Sequence, residues 1–129
     1  MTRLGTATPI RILLVDDDDA VRESLGLCLE TLGYQVGHAS DGRAALVEVA
    51  RHRPAAIVTD LQMSGMDGLT LLREMAMINR RVPVIAISGG SPEGLAAARR
   101  LGAAEALAKP VLDRDLASAI ERCRVAAHA

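Results

Sequence analysis

Apolar runs rich in β-branched residues alternate with segments of helical period five times along the chain, always strand first and helix second. The first run, Ile10 to Asp16, ends in acidic residues. After it Val21, Leu25, Cys28, Leu29 and Leu32 recur at i, i+4, i+7, i+8 and i+11, the stripe of a helix with one buried face. Gly33 ends that helix, since glycine takes the left-handed backbone of a helix terminus without steric cost. Gln35 to Ala39 is the second strand. Asp41-Gly42 opens a helix that packs through Ala45, Leu46 and Val49 and stops before Pro54.

Ala55 to Thr59 is the third strand, and Leu69, Leu72, Met75 and Ala76 form a third helical stripe. Val82 to Ile87 is the fourth strand, with Pro83 tolerable near its beginning, and Ser88-Gly89-Gly90 is then a loop. Ser91 as N-cap and Pro92 at the first helical position start a fourth helix that runs to Leu101-Gly102. Ala104 to Ala108 is the fifth strand. Asp113 caps a last helix with the stripe Leu116, Ala119, Ile120 and Cys123, and the tail Val125 to Ala129 is expected to fray.

Such alternation implies a parallel sheet with helices on both faces, a three-layer α/β domain, because each parallel connection needs a crossover. Periodicity fixes the element types and leaves the order of neighbouring strands open. In a parallel sheet all strand ends lie along one edge, so residues distant in sequence can meet there. Asp16 and Asp17 close the first strand, Asp60 follows the third, Ser88 the fourth and Lys109 the fifth.

Composition narrows the classes of function. With 129 residues the chain has the length of one domain, able to bury a core without disulfides or a structural metal. A formal net charge of -1 and a single aromatic residue, Tyr34, argue against direct nucleic-acid binding. No stretch approaches the roughly 20 apolar residues of a membrane span, and the N-terminus lacks a signal-peptide run, so a cytoplasmic protein is expected. Cys28 and Cys123 are expected as buried free thiols, and His38, His52 and His128 lack metal-ligand spacing.

Any one of these polar residues has an ordinary structural role: Asp18 or Asp19 is expected simply to cap the first helix. Their joint placement carries the chemistry. Three carboxylates against one amine leave a negative balance that a hard divalent cation such as Mg²⁺ relieves. A carboxylate attacks a phosphoryl group only where positive charge offsets the approach of two anions, and a metal, an ammonium and a hydroxyl form a minimum set.

The motifs Leu14-Val15-Asp16-Asp17, Thr59-Asp60 with Met63-Ser64-Gly65-Met66-Asp67-Gly68, Ile87-Ser88-Gly89 and Ala108-Lys109-Pro110 occur in this order. Together they resemble the receiver domains of response regulators, the phosphoaccepting half of bacterial two-component signalling. The resemblance covers about residues 11–124 and treats 1–129 as one receiver domain with no output domain. It implies a flavodoxin-like sheet of order 2-1-3-4-5. It makes Asp60 the phosphoacceptor and assigns Mg²⁺ to Asp16, Asp17, Asp60 and the backbone carbonyl of Gln62. Ser88, Gly89 and Lys109 become the phosphate-binding and switch residues. The implied partners are a sensor histidine kinase or phosphotransfer protein and an effector or second copy of the chain on the face of the fourth helix, fifth strand and fifth helix.

Three positions depart from the family pattern. Ser64 replaces the usual proline, Ala106 stands where many receivers carry a switching aromatic, and Gly89-Gly90 follows Ser88. With no ring to move, the glycine loop is expected to carry the signal. Arg99, Arg100, Asp113, Arg114 and Asp115 are expected on solvated faces. Of the rival classes, a Mg²⁺-dependent aspartyl-phosphate phosphatase needs an acid two residues after its nucleophile, where Gln62 cannot donate a proton. An unphosphorylated receiver-like interaction module would not need the full set of site residues. A flavin- or nucleotide-binding role fails because Asp16 to Asp19 would repel a phosphate.

Overall fold

The computed structural model describes residues 9–63, 65, 67–78, 81–90 and 92–127. Strands β1 (Arg11–Val15), β2 (Gln35–Ala39), β3 (Ala56–Asp60), β4 (Val84–Ser88) and β5 (Glu105–Ala108) alternate with helices α1 (Asp19–Thr31), α2 (Gly42–His52), α3 (Gly68–Ile78), α4 (Pro92–Arg100) and α5 (Asp113–Ala127). Every ladder is parallel and the sheet order is β2-β1-β3-β4-β5, as the resemblance implies.

Alternation along the strands divides the core in two, because successive side chains point to opposite faces. Leu13, Val15, Ile57, Ala86 and Ala106 face one cluster, completed by Ala45 and Val49 of α2, Leu71, Leu72 and Met75 of α3, and Ala98 of α4. Ile12, Leu14, Val58, Ile85 and Ile87 face the other, with Leu29 of α1 and Leu116, Ala119, Ile120 and Cys123 of α5. Burying a Leu or Ile side chain contributes roughly 1.5–3 kcal/mol, so these clusters pin the helices to the sheet.

Local signals set the element ends. The Asp18 carboxylate accepts from Val21 N–H at 3.1 Å to cap α1, and Asp41 caps α2 through Ala44 N–H at 2.8 Å. Gly33 follows α1 at φ 98°, and its N–H reaches the Glu30 carbonyl at 2.9 Å.

Several boundaries differ from the sequence reading. β3 runs through Asp60, and β4 ends on Ser88 rather than before it. The ladder reaches both, since Leu61 N–H bonds the Ile87 carbonyl at 3.1 Å and Lys109 N–H bonds that of Ser88 at 2.9 Å. The Asp60 carboxylate and the Ser88 hydroxyl therefore sit on paired strand ends. β4 starts after Pro83, which lacks an N–H but whose carbonyl accepts from Ile57 N–H. Asp113 is the first residue of α5 rather than its cap; the Leu112 carbonyl accepts from Asp115 and Leu116 N–H.

α5 continues to Ala127, where Val125 had been expected to begin a frayed tail, and Arg124 pairs with Glu121 at 2.7 Å in its last turn. Cys123 is buried, whereas Cys28 is only partly covered. Burial first, and then the Asp113 carboxylate of α5, raise the pKa of the Cys28 thiol. Leu32, expected in the buried stripe, caps α1 and is half exposed. The expected Ser91 cap, the Ser64 turn substitution and His128 lie outside the described residues.

Candidate functional site

The site begins at the end of β1. Asp16 N–H bonds the Ala39 carbonyl of β2 at 3.1 Å, and its Oδ1 accepts from Asp18 N–H at 2.9 Å. Asp60 ends β3, with Thr59 Oγ1 donating to the Asp60 carbonyl at 2.9 Å. Asp16, Asp17 and Asp60 each offer a carboxylate oxygen, all within 4.8 Å of one another, Asp16 and Asp60 being buried and Asp17 exposed. Lys109 extends from the end of β5, placing Nζ 3.5 Å from Asp60 Oδ1 and 3.9 Å from Asp16 Oδ2.

Burial raises the Asp16 pKa, and the charges of Asp60 and Asp17 raise it further, against the Asp18 N–H and Lys109. A carboxylate so crowded gains from a nearby cation. Oxygen ligands of Mg²⁺ at roughly 2.1 Å lie about 3–4 Å apart, a spacing these carboxylates reach with small side-chain movement. The donor set is all hard oxygen, so it fits that ion.

Ser88 is buried beside Lys109, its Oγ accepting from Gly90 N–H at 3.1 Å. It lines a cleft of about 440 Å³ with Leu61, Gln62 and Gly94, next to the carboxylate cluster. The Gln62 side-chain amide lies close over Gly90, where a Cβ would come within 2.9 Å of Nε2. Gly89 lies beside the Lys109 stem.

The structure thus brings Asp16, Asp17, Asp60 and Lys109 together, with Ser88, Gly89 and Gln62 bordering them. Arg22 stands in none of the strand-end motifs, and Gly68 appears in them only as the last residue of the turn after Asp60. Arg22 of α1 lines the same small pocket as Asp16, Asp60 and Lys109, and its only sequence signal is the i, i+3 spacing from Asp19. Gly68 donates its N–H to the Leu61 carbonyl at 3.2 Å, and a Cβ there would collide with the Asp60 carbonyl oxygen. The neighbouring Asp67 caps α3 through Thr70 N–H at 2.8 Å, so a sharp turn follows Asp60.

On the α4–β5–α5 side, Ala106 is buried opposite Ala86. Arg99 is not simply solvated: its Nη2 donates to the Ala106 carbonyl at 3.2 Å. Tyr34 precedes β2, and its hydroxyl donates to Glu121 Oε2 of α5 at 2.9 Å.

A five-stranded parallel sheet of this order, with an acidic cluster and a lysine on its carboxyl edge, defines a CheY-like α/β domain. The chain belongs to the response regulator receiver domain family, whose model matches residues 12–121. It is 40% identical over 112 residues to response regulator MprA of Mycobacterium leprae, covering 86% of this chain and 49% of that one. It spans 35% of the MprA of Mycolicibacterium vanbaalenii, at 45% identity over 80 residues and 62% of this chain. The chain therefore spans half or less of these curated relatives. Among solved structures it is similar to a receiver domain protein from Clostridium thermocellum, with TM-score 0.87, 29% identity and 91% and 95% of the two chains covered. It is also similar to a beryllofluoride-activated NtrC4 receiver domain dimer, with TM-score 0.84, 29% identity and 91% and 98% covered.

Proposed function

We propose that the chain accepts a phosphoryl group on Asp60 from a phosphohistidine of a sensor histidine kinase or phosphotransfer protein. The observation that carries this reading is the Lys109 ammonium at 3.5 Å from Asp60, beside a carboxylate trio with all donor oxygens within 4.8 Å. Asp60 attacks phosphorus as the carboxylate; the new O–P bond replaces the N–P bond, and the histidine leaves as neutral imidazole after taking up a proton. Lys109 draws in and holds the anionic phosphoryl oxygens, and the Ser88 hydroxyl and Gly89 N–H supply further donors from the end of β4.

Asp16, Asp17, Asp60 and the Gln62 carbonyl would hold Mg²⁺, which supplies the remaining positive charge between acceptor and phosphoryl group. Residues 11–124 form the receiver unit, working in the cytoplasm and promoting only its own phosphorylation and dephosphorylation. Among the described residues no helix is long and apolar enough to cross a membrane. The face built from α4, β5 and α5 reports the state of Asp60 to an effector or a second copy; that an activated receiver can pair with a second copy is supported by the NtrC4 receiver domain dimer. With Ala106 in place of a ring, movement of the Gly89-Gly90 segment transmits the signal.

Asp60→Asn keeps the shape of the side chain and removes the anionic nucleophile. Incubation with a radiolabelled small acyl phosphate and Mg²⁺ is expected to label the wild type with hydroxylamine-labile phosphate and leave the variant unlabelled. Equal labelling of both would show that another residue is the acceptor.

A further inference from the structure

The turn joining β1 to α1 is held from within by a guanidinium. Arg22 Nη1 donates to the Asp16 carbonyl at 2.7 Å and Nη2 to Asp19 Oδ1 at 2.7 Å. The Arg22 side chain is only 14% exposed, and its Nε is buried without a hydrogen-bond partner. Burying a guanidinium with one donor unsatisfied stabilises a fold poorly, so stability alone is a weak account of this placement.

Its contacts fall on the segment that presents the acidic pair. Asp16 is fixed at its N–H by Ala39, at its carbonyl by Arg22 and at Oδ1 by Asp18 N–H. Asp17 lies between the two residues so tethered. Mg²⁺ demands near-ideal octahedral geometry, and partners that orient its ligands control its affinity. A planar fork spanning the Asp16 carbonyl and the Asp19 carboxylate orients this turn in a way a point charge does not.

We propose that Arg22 is a positioning residue for the cation site, clamping the Asp16–Asp19 turn so that Asp16 and Asp17 present their carboxylates to Mg²⁺. This rests on the metal reading given under Proposed function. It makes a prediction opposite in sign to simple electrostatics: a positive charge beside a cation site weakens binding, whereas a clamp strengthens it.

The test is calorimetric titration of Mg²⁺ alone into the full chain as wild type, Arg22→Gln and Arg22→Lys. Both variants lose the fork, and each is expected to bind Mg²⁺ roughly 10-fold more weakly. The Mg²⁺ concentration for half-maximal phosphorylation by a small acyl phosphate should rise by more than the maximal rate falls. Tighter binding by Arg22→Gln with unchanged binding by Arg22→Lys would mean that only charge matters, and would overturn the clamp. Equal affinity in all three proteins would overturn it too. If the wild type shows no saturable binding, the metal reading fails and the clamp with it. Saturable wild-type binding with unaltered variants removes the clamp alone. Circular dichroism without Mg²⁺ reports folding, and should Arg22→Gln not fold, Arg22→Lys carries the comparison.

Discussion

Gly68 should tolerate no side chain, and the cost of adding one can be worked out. A Cβ at this position collides with the Asp60 carbonyl oxygen and comes within 2.7 Å of Leu61 Cα and 2.9 Å of Leu61 Cδ2. Two of these obstacles are backbone atoms at the end of β3, which no rotamer change can move. Overpacking of this kind costs roughly 1–3 kcal/mol, while alanine is favoured over glycine in a helix by about 1 kcal/mol. Rigid opposing groups put the cost near the top of that range, leaving Gly68→Ala destabilised by about 2 kcal/mol. At roughly 2.1 cal/mol/K per residue, 129 residues unfold with an entropy near 0.27 kcal/mol/K, so Tm should fall by about 7 °C.

The displaced atoms belong to the end of β3, which carries the proposed acceptor Asp60, so phosphorylation by a small acyl phosphate should slow by roughly 10-fold or more. Gly94→Ala is the matched control. Its Cβ would meet Ser88 Oγ at 3.9 Å and Leu61 Cδ1 at 4.0 Å, which are ordinary contacts, so the helix-propensity gain of about 0.5–1 kcal/mol should survive. Thermal melts followed by circular dichroism compare the two. A Gly68→Ala melt at or above wild type, with Gly94→Ala raised as expected, would refute the close-approach argument.

Lys109→Met removes the ammonium from beside Asp60 and Asp16, so Mg²⁺ should bind more tightly by calorimetry while phosphorylation falls by roughly 100-fold; weaker Mg²⁺ binding would contradict this. Asp16 has its pKa raised by burial first and neighbouring carboxylates next, so without Mg²⁺ its contribution to stability is full below the usual carboxylate range and is lost as pH rises through the raised value. Asp16→Asn should therefore melt above wild type at neutral pH in chelator, and the difference should vanish below about pH 4; an advantage that persists in acid would rule out titration as its source. Ala106→Phe adds a ring among the buried Ala86 and Ala98, and urea unfolding should show a loss of roughly 1–3 kcal/mol, with a neutral result showing that α4 has room to yield.

Hydrophobic periodicity made the five strands and five helices legible, because 2-residue and 3.6-residue repeats are local properties of a chain that buries one face of each element. The strand-end motifs made Asp16, Asp17, Asp60, Ser88 and Lys109 legible as a set, since a parallel sheet must align its carboxyl ends. Element ends were less so. Asp60 and Ser88 read as the start of loops, yet the neighbouring strands extend the ladder across both, and such pairing is not encoded in either segment alone. Resemblance to a family, rather than periodicity, supplied the strand order.

Which side chains meet is settled by the packing of the elements against one another. Arg22 belongs to none of the strand-end motifs, and joins the candidate site only because α1 packs its first turns over the end of β1. Arg99 likewise reads as surface charge, and its bond to the Ala106 carbonyl depends on α4 lying close to β5 through small alanines. Gly68 reads as a turn residue, while the reason no Cβ fits lies in the Asp60 carbonyl packed against it. The chemistry available at the sheet edge is legible in the chain alone, because residue types and their places after each strand are local features. Distances, burial and the partners of each polar atom followed from long-range packing, which no local pattern specifies.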